Sequence, residues 1–124
     1  MTNTTPPRHQ FLDDLTADAE LRSTVLRAPV VGREKVRKLV EAVRGLYKSQ
    51  RPVFFESIGS RDLLQYEAEL GGGLILHGTA IIERNPDRSV QRVSVTFSPL
   101  GSALSLAGRL GEHFGQELGN GLFL

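Results

Sequence analysis

The chain has 124 residues, with 15 basic and 14 acidic side chains and no cysteine. Its length suits one domain with a single core, so we expect residues 1–124 to fold as one unit. A formal charge of +1 gives no reason to expect nucleic acid as a partner. Without cysteine there are no disulfides, thiolate metal sites or cysteine nucleophile. The apolar runs are too short for a membrane span and no signal-like core is present, so we expect a cytoplasmic protein without membrane contact.

The first part of the chain predicts a loose lead-in, a short helix and a strand. Residues 1–8 are polar and carry a proline pair, which is typical of an unstructured start. Residues 9–15 place apolar side chains on one side of a short helix, and residues 19–26 are rich in strand formers. Pro29 and Gly32 then indicate a turn.

The clearest helix begins at Arg33, where apolar side chains recur at helical spacing. This stripe consists of Val36, Leu39, Val40, Val43, Leu46 and Tyr47. The opposite face is basic and carries Arg33, Lys35, Arg37, Lys38, Arg44 and Lys48. A basic face raises a nucleic-acid hypothesis, but acidic residues elsewhere balance it and favour a solvated surface.

After Pro52 the apolar period changes from helical spacing to two. The predicted strands are residues 53–59, 63–70, 74–84 and 90–97, with a turn at 85–88. One helix followed by neighbouring strands predicts an α+β fold with a mainly antiparallel sheet.

The last segment predicts a helix that opens at Pro99 and contains several glycines. Gly111, Gly115 and Gly119 lie along one line of that helix, which favours close packing against a sheet or a second copy. Gly108 adds a further small residue to the helix. The apolar end, residues 122–124, is expected to pack onto the chain's own body or onto a partner.

The stretch GGGLILHGTA at 71–80 resembles a phosphate-binding loop, because Gly73 and Gly78 stand five apart with Thr79 next. A phosphate loop needs a lysine and a following helix. Here the lysine position is Ala80 and the surrounding residues are those of a strand interior. We therefore reject a phosphate site and assign residues 71–73 to a hairpin loop, where positive φ is favoured.

Four stretches of the sequence together carry a resemblance to a known family. They are Asp18-Ala19, APVVGREKV at 28–36, LILHGTAIIERNPDRSVQRVSV at 74–95 and SPLGSAL at 98–104. The chain resembles the nuclear transport factor 2-like superfamily, which includes ketosteroid isomerase and the SnoaL-like polyketide cyclases. The resemblance implies a cone in which a curved, mainly antiparallel sheet wraps helices and leaves an apolar pocket. It also implies a homodimer through the outer face of the sheet.

The family's strand phase, laid on this chain, divides the strands into a pocket face and an outer face. The implied ligand-binding residues are Ser23, Leu64, Tyr66, Ala68, Leu76, Gly78, Ala80, Ile82, Val93, Val95 and Phe97. The polarity of the sequence agrees independently, because Arg92, Ser94 and Thr96 fall on the other face. A one-residue bulge near Gly78 would invert this assignment.

The catalytic groups of the isomerase are missing from this chain. The resemblance places Ser23 where the isomerase has its aspartate base, and Ala80 where it has a protonated aspartic acid. The donor tyrosine belongs to an N-terminal helix that we do not expect in this chain. A serine without an adjacent base is a poor proton acceptor, so we expect no ketosteroid isomerase activity and assign no catalytic residue.

Two polar side chains remain of interest on the strands. Tyr66 has the inward phase, so its hydroxyl needs a partner that is either a core residue or a ligand. His77 has the opposite phase from Ala80, which favours a surface or interface histidine over a catalytic base. The three histidines, His9, His77 and His113, show no metal-binding spacing, and we expect neither metal nor cofactor.

Several carboxylates fall on two neighbouring strands and raise the hypothesis of a carboxylate pair. They are Glu56, Asp62, Glu67 and Glu69. We expect them to be solvated sheet charges, with Glu67 and Glu69 balanced by Arg61 and Arg84 and with Asp62 in a turn where it bonds nearby amides.

Three functions remain open at this point. The first is a SnoaL-like domain that binds a small hydrophobic molecule in an apolar pocket. The second is a non-catalytic homodimeric scaffold whose cone is filled by side chains. The third is an isomerase or cyclase with a relocated base such as His77 or Glu67. A void for ten or more heavy atoms would favour the binder, and a closed core would favour the scaffold.

Overall fold

The computed structural model of the protein describes residues 10–118 and 121–124. The predicted lead-in at residues 1–8, together with His9 and Gly119, lies outside the described residues. A short 3₁₀ helix at Gln10–Asp14 opens the described part, where the pattern predicts a helix. Among the described residues, no helix is long and apolar enough to cross a membrane.

Six strands and two α-helices follow the 3₁₀ helix. In chain order they are β1 Leu15–Ser23, β2 Val30–Val31, α1 Arg33–Leu46, β3 Ser49–Ile58, β4 Arg61–Glu69, β5 Ile75–Arg84, β6 Val90–Ser98 and α2 Leu100–Leu118. The predicted start of α1 is confirmed, and the predicted strands after it are found within a few residues of their expected ends.

The strands form one open, mixed sheet in the order β2-β1-β6-β5-β4-β3. All neighbours are antiparallel except β1 and β6, which run parallel. The α+β class with a mainly antiparallel sheet is therefore confirmed. The first strand begins at Leu15 and not at residue 19, and the two-residue strand β2 lies where only a turn was expected.

Helix α1 packs its apolar stripe inward and uses part of its basic face to hold the chain's beginning. Val36 and Leu39 are buried. On the other side, the Arg33 Nε donates to the carbonyl oxygen of Leu15 at 3.0 Å, and Arg37 donates to that of Leu12 at 2.9 Å. Two of the six basic side chains thus tie the 3₁₀ helix and the start of β1 to α1.

The strand alternation predicted from the sequence is confirmed for β4, β5 and β6. Leu64, Ala80 and Val93 are buried, whereas His77 and Thr96 on the alternate phase are exposed. No bulge interrupts the pairing of β4 with β5. The loop between these strands uses Gly71–Gly73, all three with positive φ, as the hairpin assignment requires.

The C-terminal residues pack onto the chain's own body. Phe123 is buried and forms an antiparallel bridge with Leu26. The Arg27 amide donates to the carbonyl oxygen of Leu122 at 2.8 Å, and the Leu124 amide donates to that of Val25 at 3.1 Å. The tail therefore closes over the loop that follows β1.

Close packing against the chain's own sheet is not found at Gly108 and Gly111, and packing of the helix glycines against a second copy stays a prediction. Gly108 and Gly111 are exposed, and a Cβ at either would meet nothing within 4 Å. Gly115 is buried. The exposed glycines instead form part of an open surface of α2 that also carries Leu100 and Leu104.

The expectation that Asp62 lies in a turn is wrong. It belongs to β4, has the inward phase opposite Ile82, and is 5% exposed. Its carboxylate accepts from the Ser57 hydroxyl at 2.8 Å and from the Arg84 Nε at 2.9 Å, and Arg84 also donates to Asp14 at 3.0 Å.

The expected balance of Glu67 and Glu69 by Arg61 and Arg84 is also wrong. Arg61 approaches Glu83 at 3.9 Å, and Glu67 pairs with Arg51 at 3.1 Å. Arg84 is engaged by Asp62 and Asp14 because its position at the end of β5 faces the inner side of the sheet.

Candidate functional site

A cavity lies between helix α1 and the inner face of the sheet. Its wall is formed by Phe11, Leu21, Ser23, Val25, Leu26, Leu39, Val40, Val43, Tyr47, Gln50, Leu64, Tyr66, Ala80, Val95 and Phe97. The centre of a water molecule can occupy about 60 Å³ of it, several times what one water needs.

The structure brings six of the eleven sequence-predicted site residues to this wall. They are Ser23, Leu64, Tyr66, Ala80, Val95 and Phe97. The other five are buried in the core beside the cavity and do not line it. They are Ala68, Leu76, Gly78, Ile82 and Val93.

Much of the wall comes from residues that strand phase does not identify. Helix α1 supplies Leu39, Val40 and Val43, and the residue after its end supplies Tyr47. The sequence pattern marks these side chains as an inward stripe, which is the signal for core packing as well as for a pocket. Whether a gap remains between helix and sheet depends on their separation, which no periodicity encodes.

The principal polar feature of the cavity is a pair of tyrosines. The hydroxyl oxygens of Tyr47 and Tyr66 lie 2.9 Å apart in a hydrogen bond, and the ring centroids are 6.1 Å apart with a tilt of 53°. Tyr66 is the inward tyrosine expected from strand phase, and its partner is a residue of the helix stripe. Tyr47 is the site residue that sequence reasoning missed, because its place in the stripe concealed its hydroxyl.

Burial keeps both tyrosines in the neutral form. Burial raises the pKa of Tyr66 to about 12, although its hydrogen bond with Tyr47 acts in the opposite direction. Burial also raises the pKa of Tyr47 far above its ordinary value, and the neighbouring Tyr66 reinforces the shift. Near neutral pH the pair therefore offers phenol hydroxyls and no phenolate.

Gly78 makes the position of the Tyr66 ring possible. The two residues are direct cross-strand partners on β5 and β4. A Cβ at position 78 would lie 2.5 Å from Cζ of Tyr66 and 2.8 Å from its hydroxyl oxygen. The glycine in LHGTA thus leaves room for an aromatic ring that lies across the neighbouring strand and reaches Tyr47.

The remaining wall is apolar, and none of its described side chains is charged. Besides the tyrosines, Ser23 and Gln50 are the polar residues among the described lining, and the Ser23 hydroxyl accepts from the Val25 amide at 3.4 Å. Ser23 and Ala80, the positions that the resemblance matches to the isomerase carboxylates, both lie on this wall. The cavity therefore presents a hydroxyl and a methyl group at those two places.

His77 and Glu67 lie on the outer face of the sheet and do not reach the cavity. Their side chains are 53% and 29% exposed, and the Nδ1 of His77 lies 3.8 Å from an Oε of Glu67. Within the described ranges, no three His, Asp or Glu side chains are grouped in a way that could hold a metal ion.

No protein-family model matches the chain, and no curated relative matches its sequence. Solved structures do match. An uncharacterised bacterial protein with a cystatin-like fold from Silicibacter pomeroyi has a TM-score of 0.80 at 17% identity, over 86% of this chain and 75% of its own. A steroid delta-isomerase from Pseudomonas aeruginosa has a TM-score of 0.79 at 20% identity, over 89% and 81%. A protein of the SnoaL-like family from Agrobacterium tumefaciens has a TM-score of 0.56 at 14% identity, over 73% and 80%.

These likenesses establish the fold of the chain. It is the α+β fold of the nuclear transport factor 2-like superfamily, as the sequence resemblance implies. Because one fold hosts many activities, the function must be argued from the cavity.

Proposed function

We propose that the protein is a SnoaL-like domain that binds a small, uncharged, hydrophobic molecule in the cavity between α1 and the sheet. The observation that carries this proposal is a wall of aliphatic and aromatic side chains interrupted by one pair of neutral hydroxyls. Such a wall stabilises apolar ligands by removing their surface from water, and a few hydrogen bonds orient them.

The size of the cavity limits the ligand. A volume of about 60 Å³ lies far below the roughly 300–1,000 Å³ typical of pockets for drug-sized ligands. The ligand is therefore much smaller than a steroid.

The wall supports binding and offers no evident base. Tyr47 and Tyr66 are held neutral, and Ser23 has no adjacent general base among the described residues. Proton abstraction needs a group that is ionised or basic near the working pH. We therefore propose a binding role without isomerase chemistry.

A thermal-shift series with small cyclic compounds tests the proposal. Apolar compounds of this size are expected to raise the Tm in a saturable way, whereas steroids and long-chain fatty acids are not. Ala80→Leu, which places three additional carbons on the cavity wall, should abolish the shift while the far-ultraviolet circular dichroism spectrum remains that of the parent. A series in which no compound stabilises the parent protein would refute the proposal.

A second proposal concerns the outer face of the sheet, which we infer pairs with a second copy of the chain. Its support is a set of apolar side chains on that face, each more than a third exposed: Phe54, Ile58, Ile75 and Ile81. Exposed apolar side chains grouped on one face are typical of an interface.

Sedimentation equilibrium measures this association directly. The parent chain is expected to sediment as a dimer, and Ile81→Arg, which places a charge near the middle of the outer face, should give a folded monomer. Leu100→Arg on α2 provides the control, because that exposed leucine belongs to another surface. A monomeric parent, or a dimer that Ile81→Arg leaves intact, would contradict the second proposal.

A further inference from the structure

The tyrosine pair contains one more hydrogen-bond donor than its described surroundings satisfy. Two hydroxyls carry two protons, and the bond between Tyr47 and Tyr66 uses one of them, whichever residue donates. Neither hydroxyl makes another hydrogen bond to a described residue. The second proton therefore has no acceptor that the structure shows among the described residues, although Tyr66 is only 9% exposed.

An unpaired donor in an apolar cavity is unfavourable, because it loses its hydrogen bond to water and gains none in exchange. The space next to the pair is the cavity itself, since both rings line it. A molecule with an acceptor atom at that point would satisfy the donor. A cation would not be stabilised next to the tyrosine pair, because the phenol proton repels a positive charge.

From this proton count we propose that the cavity selects small neutral molecules that carry one acceptor oxygen, a carbonyl or an ether, on an apolar body. The inference rests on the proposed function and specifies the chemical class of its ligand. The hydroxyl proton left over by the tyrosine pair is donated to that oxygen, and the apolar wall encloses the remainder of the molecule.

The wall also disfavours the charged relatives of such a molecule. A carboxylate would lose its hydration without meeting a cationic side chain from the described residues, none of which is charged where it lines the cavity. An alcohol would satisfy the tyrosine proton but would bring a second donor, for which only the polar groups of Ser23 and Gln50 remain among the described lining residues. A carbonyl or ether oxygen accepts the spare hydroxyl proton of the tyrosine pair and brings no donor of its own.

The matched probes for this inference are cyclohexanone and methylenecyclohexane, which have the same ring and differ by an oxygen in place of a CH₂ group. The chain has two tyrosines and no tryptophan, so its intrinsic fluorescence reports only on the pair that lines the cavity. Titration of the full chain with each probe gives the two dissociation constants. We expect cyclohexanone to bind about tenfold more tightly, the effect of one buried hydrogen bond, and cyclohexanecarboxylate to show no saturable binding.

The double substitution Tyr47→Phe with Tyr66→Phe removes both hydroxyl protons and retains both rings. Binding of each probe to this variant is followed by isothermal titration calorimetry, and the preference for cyclohexanone should fall to within about twofold of unity. Each single substitution leaves one hydroxyl with its own proton, so a preference should remain in both single variants. If the two hydroxyls had only a structural role, the double substitution would weaken the binding of both probes equally. The ratio of the two dissociation constants would then stay unchanged.

The outcomes separate the inference from the function on which it rests. Equal binding of cyclohexanone and methylenecyclohexane to the parent chain would overturn the inference and leave an apolar binding site. A preference that survives in the double variant would overturn it as well. If neither probe binds to the parent chain, both the inference and the proposed function are refuted. The parent-chain ratio needs no variant, so the test stands even where a variant does not fold.

Discussion

Tyr47 and Tyr66 are the chain's two tyrosines, so any tyrosine signal comes from the cavity. Burial raises the pKa of Tyr66 to about 12 and that of Tyr47 further in the same direction. In an unfolded chain both would ionise near pH 10. A raised folded pKa means that the neutral form is favoured by folding, so this contribution to stability is complete below about pH 10. It is lost as the pH rises through about 12.

The first prediction is that spectrophotometric titration at 295 nm shows almost no tyrosinate in the native protein at pH 10.5. The absorbance should rise only above about pH 12, or together with alkaline unfolding observed by circular dichroism. The same titration in 8 M urea should return a midpoint near 10. A native titration in which either tyrosine ionises near pH 10 would contradict the buried pair.

Gly78 is the residue on which the position of the Tyr66 ring depends. Gly78→Ala places a Cβ within 2.5 Å of the ring, so the ring must move and its bond with Tyr47 is lost. We expect the free energy of unfolding to fall by about 1–3 kcal/mol, the usual cost of overpacking, as measured by urea denaturation.

The matched control is the same substitution at Gly108, an exposed position of α2 where a Cβ would meet nothing within 4 Å. Gly108→Ala should stabilise the protein by up to about 1 kcal/mol through helix propensity. In a Tyr66→Leu background the penalty at position 78 should shrink, because the ring is absent. A Gly78→Ala variant as stable as the parent would show that the ring does not lie over that glycine.

At the scale of the elements, the buried Asp62–Arg84 pair joins parts of the chain that are distant in sequence. Asp62 on β4 accepts from Ser57 on β3 and from Arg84 on β5, and Arg84 reaches Asp14 in the 3₁₀ helix. Burial alone would lower the pKa of Arg84, but its bonds to the two aspartates raise that pKa, so the guanidinium stays charged.

We predict that Asp62→Asn lowers the free energy of unfolding by about 3 kcal/mol, because it leaves a largely buried guanidinium with only the exposed Asp14 as a carboxylate partner. Glu67→Gln is the control: it breaks an ion pair with Arg51 on the outer face, where the cost should stay below about 1 kcal/mol. Urea denaturation of both variants measures the difference. Equal effects at the two positions would contradict the structural role of Asp62.

The strand phase of β4, β5 and β6 was predictable because a sheet with one buried face imposes a period of two on its sequence. The apolar stripe of α1 was predictable because a helix with one buried face repeats apolar residues every three to four positions. The parallel pairing of β1 with β6 joins residues about 70 positions apart, and no local pattern specifies it. Strand β2 has two residues, too few to show any period.

The burial of Asp62 was not predictable from its neighbours. A charged residue after Gly59-Ser60-Arg61 matches a turn as well as it matches the start of a strand. What buries it is an arginine 22 residues later, which becomes its partner only when β4 and β5 pair. Tyr47 was missed for a similar reason, since its hydroxyl finds a partner 19 residues away on another element.

At the scale of the whole molecule, the cavity exists because α1 crosses the inner face of the sheet without closing onto it. Small or short side chains at Ser23, Ala80 and Val95 leave the gap, and the loop held by the C-terminal residues closes one side through Val25 and Leu26. The fold is shared with proteins of diverse function, whereas the size and polarity of this gap belong to the chain itself.

Methyl-detected nuclear magnetic resonance of the protein during titration with cyclohexanone tests the account most directly. It predicts saturable shifts at the methyl groups of Ala80, Val95 and Leu64, which line the cavity, while those of Ile81 on the outer face and Leu104 on α2 stay in place. Shifts confined to the exposed methyl groups, or no saturable shift at Ala80, would show that the cavity is not a binding site.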